Sequence, residues 1–154
     1  MPGDPVRTIA VESVPLAVIK RQVQRAELAR VVPECCGLVW NAVRTQGARG
    51  GRHVALYWDE DIHLEVGVEL LGPFADRENV VRSATPAGTV ATATLLGPYA
   101  GLGAAHTTVR RWCRENGHRL AGPNWEIYGH WDEAWNTDPS RIRTDIFYLL
   151  TERH

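Results

Sequence analysis

"HVALYWDEDIHLEVGVEL" (His53–Leu70) reads as two strands joined across an acidic turn, and it decides the fold because the chain repeats it. About seventy residues later "WEIYG" (Trp125–Gly129) falls against "VALYW", and about eighty residues on "TDIFYLL" (Thr144–Leu150) falls against "LEVGVEL". Working outward, each strand pair follows the same two signals. "PLAVIKRQV" (Pro15–Val23) and "GTVATATLL" (Gly88–Leu96) have the β-branched and aliphatic composition of strands. After each comes an apolar stripe at three- and four-residue steps, which predicts a helix. The first helix is expected from about Val31 to Gln46, with Val32, Cys36, Val39, Trp40 and Val43 on its stripe. The second is expected from about Leu102 to Asn116, with Leu102, Ala105, His106, Val109, Trp112 and Cys113. Gly47 and Gly117 stand where left-handed C-terminal caps belong. Pro33 fits only near a helix start, where its missing N–H is not needed.

A strand–helix–strand–strand unit has too small a face to bury alone, so two copies are expected to share one core. The fold class is therefore α+β: duplicated βαββ units with pseudo-twofold symmetry, antiparallel sheets, helices on one face and a cleft on the other. The first copy spans about residues 14–71 and the second about 88–150, within a single domain over 1–154. Between them "GPFADRENVVRSATPAG" (Gly72–Gly88) shows no period and reads as a linker over about residues 72–87.

A chain of 154 residues suits one domain with a proper core. A net charge of −1 leaves no electrostatic footprint for nucleic acid. No apolar run approaches a membrane span, and "MPGDPVRTIAVES" lacks the form of a signal peptide, so the protein reads as cytoplasmic with no membrane partner. Cys35, Cys36 and Cys113 form no CxxC and are odd in number, which fits reduced, buried thiols. The six histidines show no HxxxH or HExxH spacing, so no metal site is expected, and nothing calls for a cofactor.

Alternation along the strands then places side chains. Trp125, Ile127 and Trp131 share one face, expected to pack on the helix, which leaves Glu126, Tyr128 and His130 facing away. In the first copy Val54, Leu56 and Trp58 go inward, and Ala55 and Tyr57 outward. The valines and leucines of "LEVGVEL" go inward, with Glu65 and Glu69 outward, while Asp145, Phe147 and Leu149 join the outward face. That face then gathers Tyr57, Tyr128, Phe147, Glu126 and Asp145, more rings than a merely solvated face carries. Four of these five have a plain alternative. Glu126 also suits an exposed strand carboxylate, and Tyr57, Tyr128 and Phe147 also suit cross-strand pairs that only stabilise the sheet. Tyr99, beside a Gly–Pro turn, either reaches the cleft mouth or packs locally. Trp40 and Trp112 are expected in the core, and Trp135 is expected to pack within its polar loop rather than close over a ligand. "DED" with Glu65 and Glu69 reads as a solvated edge.

The succession "VALYWDED", "LEVGVEL", "GPYAGLGAAHTTVRRWCRENG", "GPNWEIYGHWDE" and "RTDIFYLL" resembles the GyrI-like small-molecule-binding domain, over about Val14 to Leu150. That domain serves as the effector-binding half of AraC- and MerR-type regulators and also stands alone. The resemblance implies an open cleft that takes flat, aromatic, often cationic ligands, held by rings around an acidic residue. Glu126 matches the family's pocket glutamate. The chain departs from the pattern at Pro33, at "ECCG", and at His53–Val54, where Pro–Phe is usual. With the domain filling the sequence, no helix-turn-helix is expected, and a stand-alone ligand domain is. Two function classes follow. One is a binder of hydrophobic cations; the other is a hydrolase that opens strained cyclopropanoid rings with Glu126 and Tyr128. The second needs a carboxylate near a tyrosine for proton transfer, which their spacing permits. The oligomeric state does not follow from the residues.

Overall fold

A computed structural model of the chain describes residues 6–58, 63–130 and 133–151. The "DED" turn at 59–61 and Trp131 lie outside the described residues. In chain order the elements are β1 (Arg7–Val11), β2 (Pro15–Gln22), α1 (Leu28–Thr45), β3 (Gly50–Tyr57), β4 (His63–Leu70), β5 (Val81–Ala84), β6 (Gly88–Leu96), α2 (Leu102–Glu115), β7 (Leu120–Tyr128), α3 (Ala134–Thr137) and β8 (Arg143–Leu150). They form two compact units, one over residues 12–86 and the other from the residues up to Val11 and from Ala87 onward. The α+β class and the repeated strand–helix–strand–strand order stand.

In the first unit β4 pairs with β3 on one side and β2 on the other, and β2 also pairs with β5, all antiparallel. In the second, β8 pairs with β7 and β6, and β6 pairs with β1, again all antiparallel. The segment expected to be a plain linker therefore holds a strand, β5, and buries Phe74 and Val80. Four residues are too few to show a period, which is why the sequence hid it. β1 was missed for the same reason.

α1 begins at Leu28, earlier than expected, behind a 3-10 turn over Arg25–Glu27, so Pro33 lies inside the helix rather than at its start. Its exposed position lets water replace the lost backbone bond. The buried stripe is Val31, Cys35, Val39 and Val43, rotated by one residue from the expected one at its N-terminal end. Trp40 is accordingly 37% exposed, not core; it lies against His53, with ring centroids 5.8 Å apart. The helices end as expected: Gly47 (φ 65°) and Gly117 (φ 73°) are left-handed, with Ala48 N–H on Val43 O and His118 N–H on Cys113 O. Gly67 breaks "LEVGVEL" because a Cβ there would lie 1.7 Å from the Ala17 carbonyl oxygen.

In the second unit Val109 and Cys113 of α2 bury against Ala91 and Ala93 of β6 and Ile146, Tyr148 and Leu150 of β8, with Trp112 partly buried beside them. This layer of helix on sheet supports the candidate site.

Candidate functional site

Register overturns the predicted faces. Glu126 stands opposite Ile146, and Ile146 packs beneath α2. Residues opposite each other in an antiparallel pair share a face, so Glu126 and Tyr128 look toward the helix. Asp145 and Phe147, next in sequence to Ile146, look the other way, together with Trp125 and Ile127. The Trp125 and Phe147 rings stack at 5.4 Å on that far side. Apolar content misled the assignment because both faces of β7 are buried: Trp125 is 2% exposed, and Glu126 only 5%. The same reversal holds for β3. His53 faces α1 beside Trp40, so Ala55 and Tyr57 also face that helix, while Val54 and Leu56 face away. In β4 the expected faces hold, with Val68 close to Val43 of α1 around Gly50.

Of the acids expected at a solvated edge, Glu65 and Glu69 are instead buried and partnered. Glu65 takes hydrogen bonds from the Trp58 indole N–H and the Ser83 hydroxyl, and Glu69 takes three from Arg52, at 2.9, 2.9 and 3.2 Å. Asp145 accepts from Thr94 (2.6 Å) and from Arg143 (3.2 and 3.3 Å). Its charge is thus committed to neighbours on the face away from Glu126.

Glu126 sits in a different setting. The Tyr128 hydroxyl donates to its Oε1 at 2.5 Å, and His106 Nε2 lies 2.6 Å from Oε2. His106 comes from the stripe of α2, and its Nδ1 lies 2.6 Å from the Tyr148 hydroxyl. Arg110, one turn further along α2, donates to that same hydroxyl at 2.9 Å. Tyr99, at the turn that opens α2, meets the Tyr128 ring edge-on at 5.9 Å, and the His106 and Tyr148 rings meet edge-on at 5.5 Å. The result is a carboxylate hydrogen-bonded to Tyr128 and His106, with Tyr148 on the far side of the histidine and Tyr99 against the Tyr128 ring. Burial pushes the Tyr148 phenol up from its ordinary pKa, with Arg110 pulling the other way, so it remains an O–H donor at neutral pH.

Of the six residues the sequence singled out, Glu126, Tyr128 and Tyr99 come together. Phe147 and Asp145 stand on the opposite face of the same sheet, and Tyr57 belongs to the first unit. His106, Tyr148 and Arg110 were not foreseen as site residues. A lone histidine among Leu102, Ala105, Val109 and Cys113 was the available signal, since a polar ring on an apolar stripe must find buried partners. Trp135 packs locally, its ring tip against Gly129.

The three cysteines are free, Cys35 and Cys113 buried and Cys36 half-buried. Burial raises all three thiols, Cys36 to about 11. Among the described residues no group of acids, histidines and cysteines is placed to hold a metal ion, and no helix is long and apolar enough to cross a membrane.

The candidate site is thus a sheet-backed carboxylate with aromatic rings beside it. The chain belongs to the GyrI-like small molecule binding domain family, whose model matches residues 5–150. No protein of curated function matches its sequence. Among solved structures it is similar to the EcmrR C-terminal domain (TM-score 0.76, 20% identity, 97% of this chain and 98% of that one). It is also similar to EcmrR in its DNA complex (TM-score 0.78, 18% identity), where it covers 97% of this chain but spans only 58% of the longer regulator. SAV2435 bound to tetraphenylphosphonium matches at TM-score 0.64 and 14% identity over 96% of this chain and 94% of that one. A hydrolase from Listeria innocua matches at TM-score 0.59 and 11% identity, over 98% and 94%. At these identities the likeness is one of fold.

Proposed function

We propose that the chain binds hydrophobic, often cationic aromatic small molecules, with Glu126 as the charge partner and Tyr128, Tyr99 and Tyr148 as surrounding rings. The observation that carries this is a 5%-exposed carboxylate whose two oxygens are met by a phenol and an imidazole instead of an arginine or lysine. Of the other buried strand acids, Glu69 and Asp145 are each met by an arginine, and Glu65 by the Trp58 indole and the Ser83 hydroxyl. A lipophilic cation would supply what Glu126 lacks, and each ring beside it adds about 0.5–2 kcal/mol of cation–π attraction. The tetraphenylphosphonium complex of SAV2435, on the same fold, supports the choice of ligand class.

The test is Glu126→Gln, which keeps the shape and removes the charge. Tetraphenylphosphonium should bind the variant more weakly by about 1–3 kcal/mol, while neutral triphenylphosphine oxide is unchanged. Equal loss for both probes rules out the charge role. A variant that unfolds shows that Glu126 serves the fold through His106 and Tyr128, and the ligand reading fails.

A second reading rests on the 2.5 Å contact between the Tyr128 hydroxyl and Glu126. A carboxylate and a phenol in direct contact form a general acid–base pair, one activating water while the other passes a proton to an opening strained ring. Under that reading, Glu126→Gln still binds a neutral cyclopropanoid electrophile, but turnover falls by roughly 10²-fold or more.

A further inference from the structure

Thr144 of β8 stands opposite Tyr128 of β7 on one side and opposite Leu95 of β6 on the other. Opposite residues of an antiparallel pair share a face, so its side chain lies on the α2 side of the sheet, in the layer of Glu126. Glu126 is its diagonal neighbour across the pair, at a spacing of about 7–8 Å. Thr144 is 0% exposed, and its Oγ1 has no hydrogen-bond partner among the described residues. The other buried threonines among the described residues are both partnered. Thr92 Oγ1 donates to the Ile146 carbonyl at 2.8 Å, and Thr85 Oγ1 accepts the Val14 N–H at 2.9 Å. A buried hydroxyl without a bond is costly, and valine would suit a strand equally well without that cost. The sheet therefore presents an unused donor and acceptor beside the Glu126 carboxylate.

We propose that Thr144 is a specificity-determining residue of this ligand site: its hydroxyl selects, among aromatic cations, those with a hydrogen-bonding group one ring's length from the charged centre. The inference rests on the ligand-site reading of Glu126 given above. The turn Tyr99–Gly101 lies over this position. Tyr99 meets the Tyr128 ring edge-on at 5.9 Å, and a Cβ at Gly101 would lie 3.6 Å from Leu95. The turn thus touches both cross-strand neighbours of Thr144. Tyr99 is 44% exposed, so its ring swings aside without opening the core of Val109, Cys113 and Ile146. A ligand ring in its place over Tyr128 has the Glu126 carboxylate toward one end and the Thr144 hydroxyl toward the other. A polar group at that second end makes a bond that the empty site leaves unmade, and a bare ring does not.

The experiment compares the full chain with Thr144→Val, which replaces the hydroxyl by a methyl group, and Thr144→Ser, which keeps it. The probes are tetraphenylphosphonium and (4-hydroxyphenyl)triphenylphosphonium, equal in charge and differing by one hydroxyl, with binding measured by calorimetry. The parent and Thr144→Ser should bind the hydroxylated cation roughly fivefold tighter than the plain one, and Thr144→Val should bind the two alike. In urea unfolding of the empty proteins, the midpoint of Thr144→Val should equal or exceed the parent's, because the lost hydroxyl held no bond. A parent that binds both cations equally overturns the proposal and leaves the Glu126 reading standing, as does a Thr144→Val protein that keeps the preference. A clearly lower midpoint for Thr144→Val shows that the hydroxyl serves the fold, through a buried water or otherwise, and overturns it too. If neither cation binds the parent, the Glu126 reading fails and takes this proposal with it.

Discussion

The two units are built to one plan and filled differently. Their helices end on the same cap, so Val43 and Cys113 correspond, and counting back seven residues sets Cys36 against His106. Their paired strands share a register after an irregularity near the start, His53 opposite Val68 in one and Asn124 opposite Tyr148 in the other. Two residues on, Ala55 corresponds to Glu126, and two further, Tyr57 to Tyr128. Where the second unit holds His106, Glu126 and Tyr148 in one hydrogen-bonded layer, the first holds Cys36, Ala55 and Val68. The same backbone thus carries cysteine, alanine and valine at three positions of one copy where the other carries a hydrogen-bonded network. The helix-to-sheet layer is the structural constant, and the candidate site is a substitution within it. Tyrosine at 57 and 128 alike explains why a ring-based reading could not tell the copies apart.

The comparison breaks most readily at Ala55. Ala55→Glu puts a carboxylate at the position of Glu126, 0% exposed and facing a helix that offers Cys36 instead of an imidazole. An uncompensated buried charge should cost about 3–5 kcal/mol in urea unfolding at neutral pH. Burial raises the pKa of such a carboxyl in the folded state, so protonation relieves the cost, and the loss should shrink as the pH falls toward 5. A variant as stable as the parent at both pH values would mean the two layers are interchangeable, contrary to this account.

A smaller effect is expected at the facing β8 and β4 positions. Tyr148→Phe removes the donor to His106 Nδ1 and the acceptor of Arg110, and should cost about 1–3 kcal/mol. Val68→Ile, at the corresponding place, only changes packing and should cost under about 1.5 kcal/mol. Equal losses in chemical denaturation would show that the hydroxyl contributes nothing to the fold.

The smallest change is read as reactivity. Cys36, at the His106 position, has its pKa raised from 9.0 to about 11 by burial first and by Cys35 second. Two units higher means about a hundredfold less thiolate at a given pH below both values, so alkylation at pH 8 should be slower by about that factor than for a free thiol. Rapid labelling of Cys36 would remove it from the buried layer.

Much of this was written in the residues. Strands of β-branched residues, stripes at helical spacing, capping glycines at 47 and 117 and the order of two similar halves gave the α+β class, because those signals act over one turn or one strand. The likeness of "WEIY" and "RTDIFYLL" to a known family singled out Glu126. β1 and β5 were not legible: five and four residues carry too little pattern, and what makes them strands is the partner β6 or β2 beside them.

The faces of β7 and β8 were decided by tertiary structure alone. Alternation says that Glu126 and Trp125 point opposite ways, but not which of them meets the helix. Where both faces are buried, hydrophobicity gives no answer. Only the register of β7 on β8, with Glu126 opposite Ile146 beneath α2, brought the carboxylate to His106 and sent Asp145 and Phe147 to the other side. A strand fixes its own period locally; its direction toward a partner is fixed by pairing, which depends on residues far away in the chain.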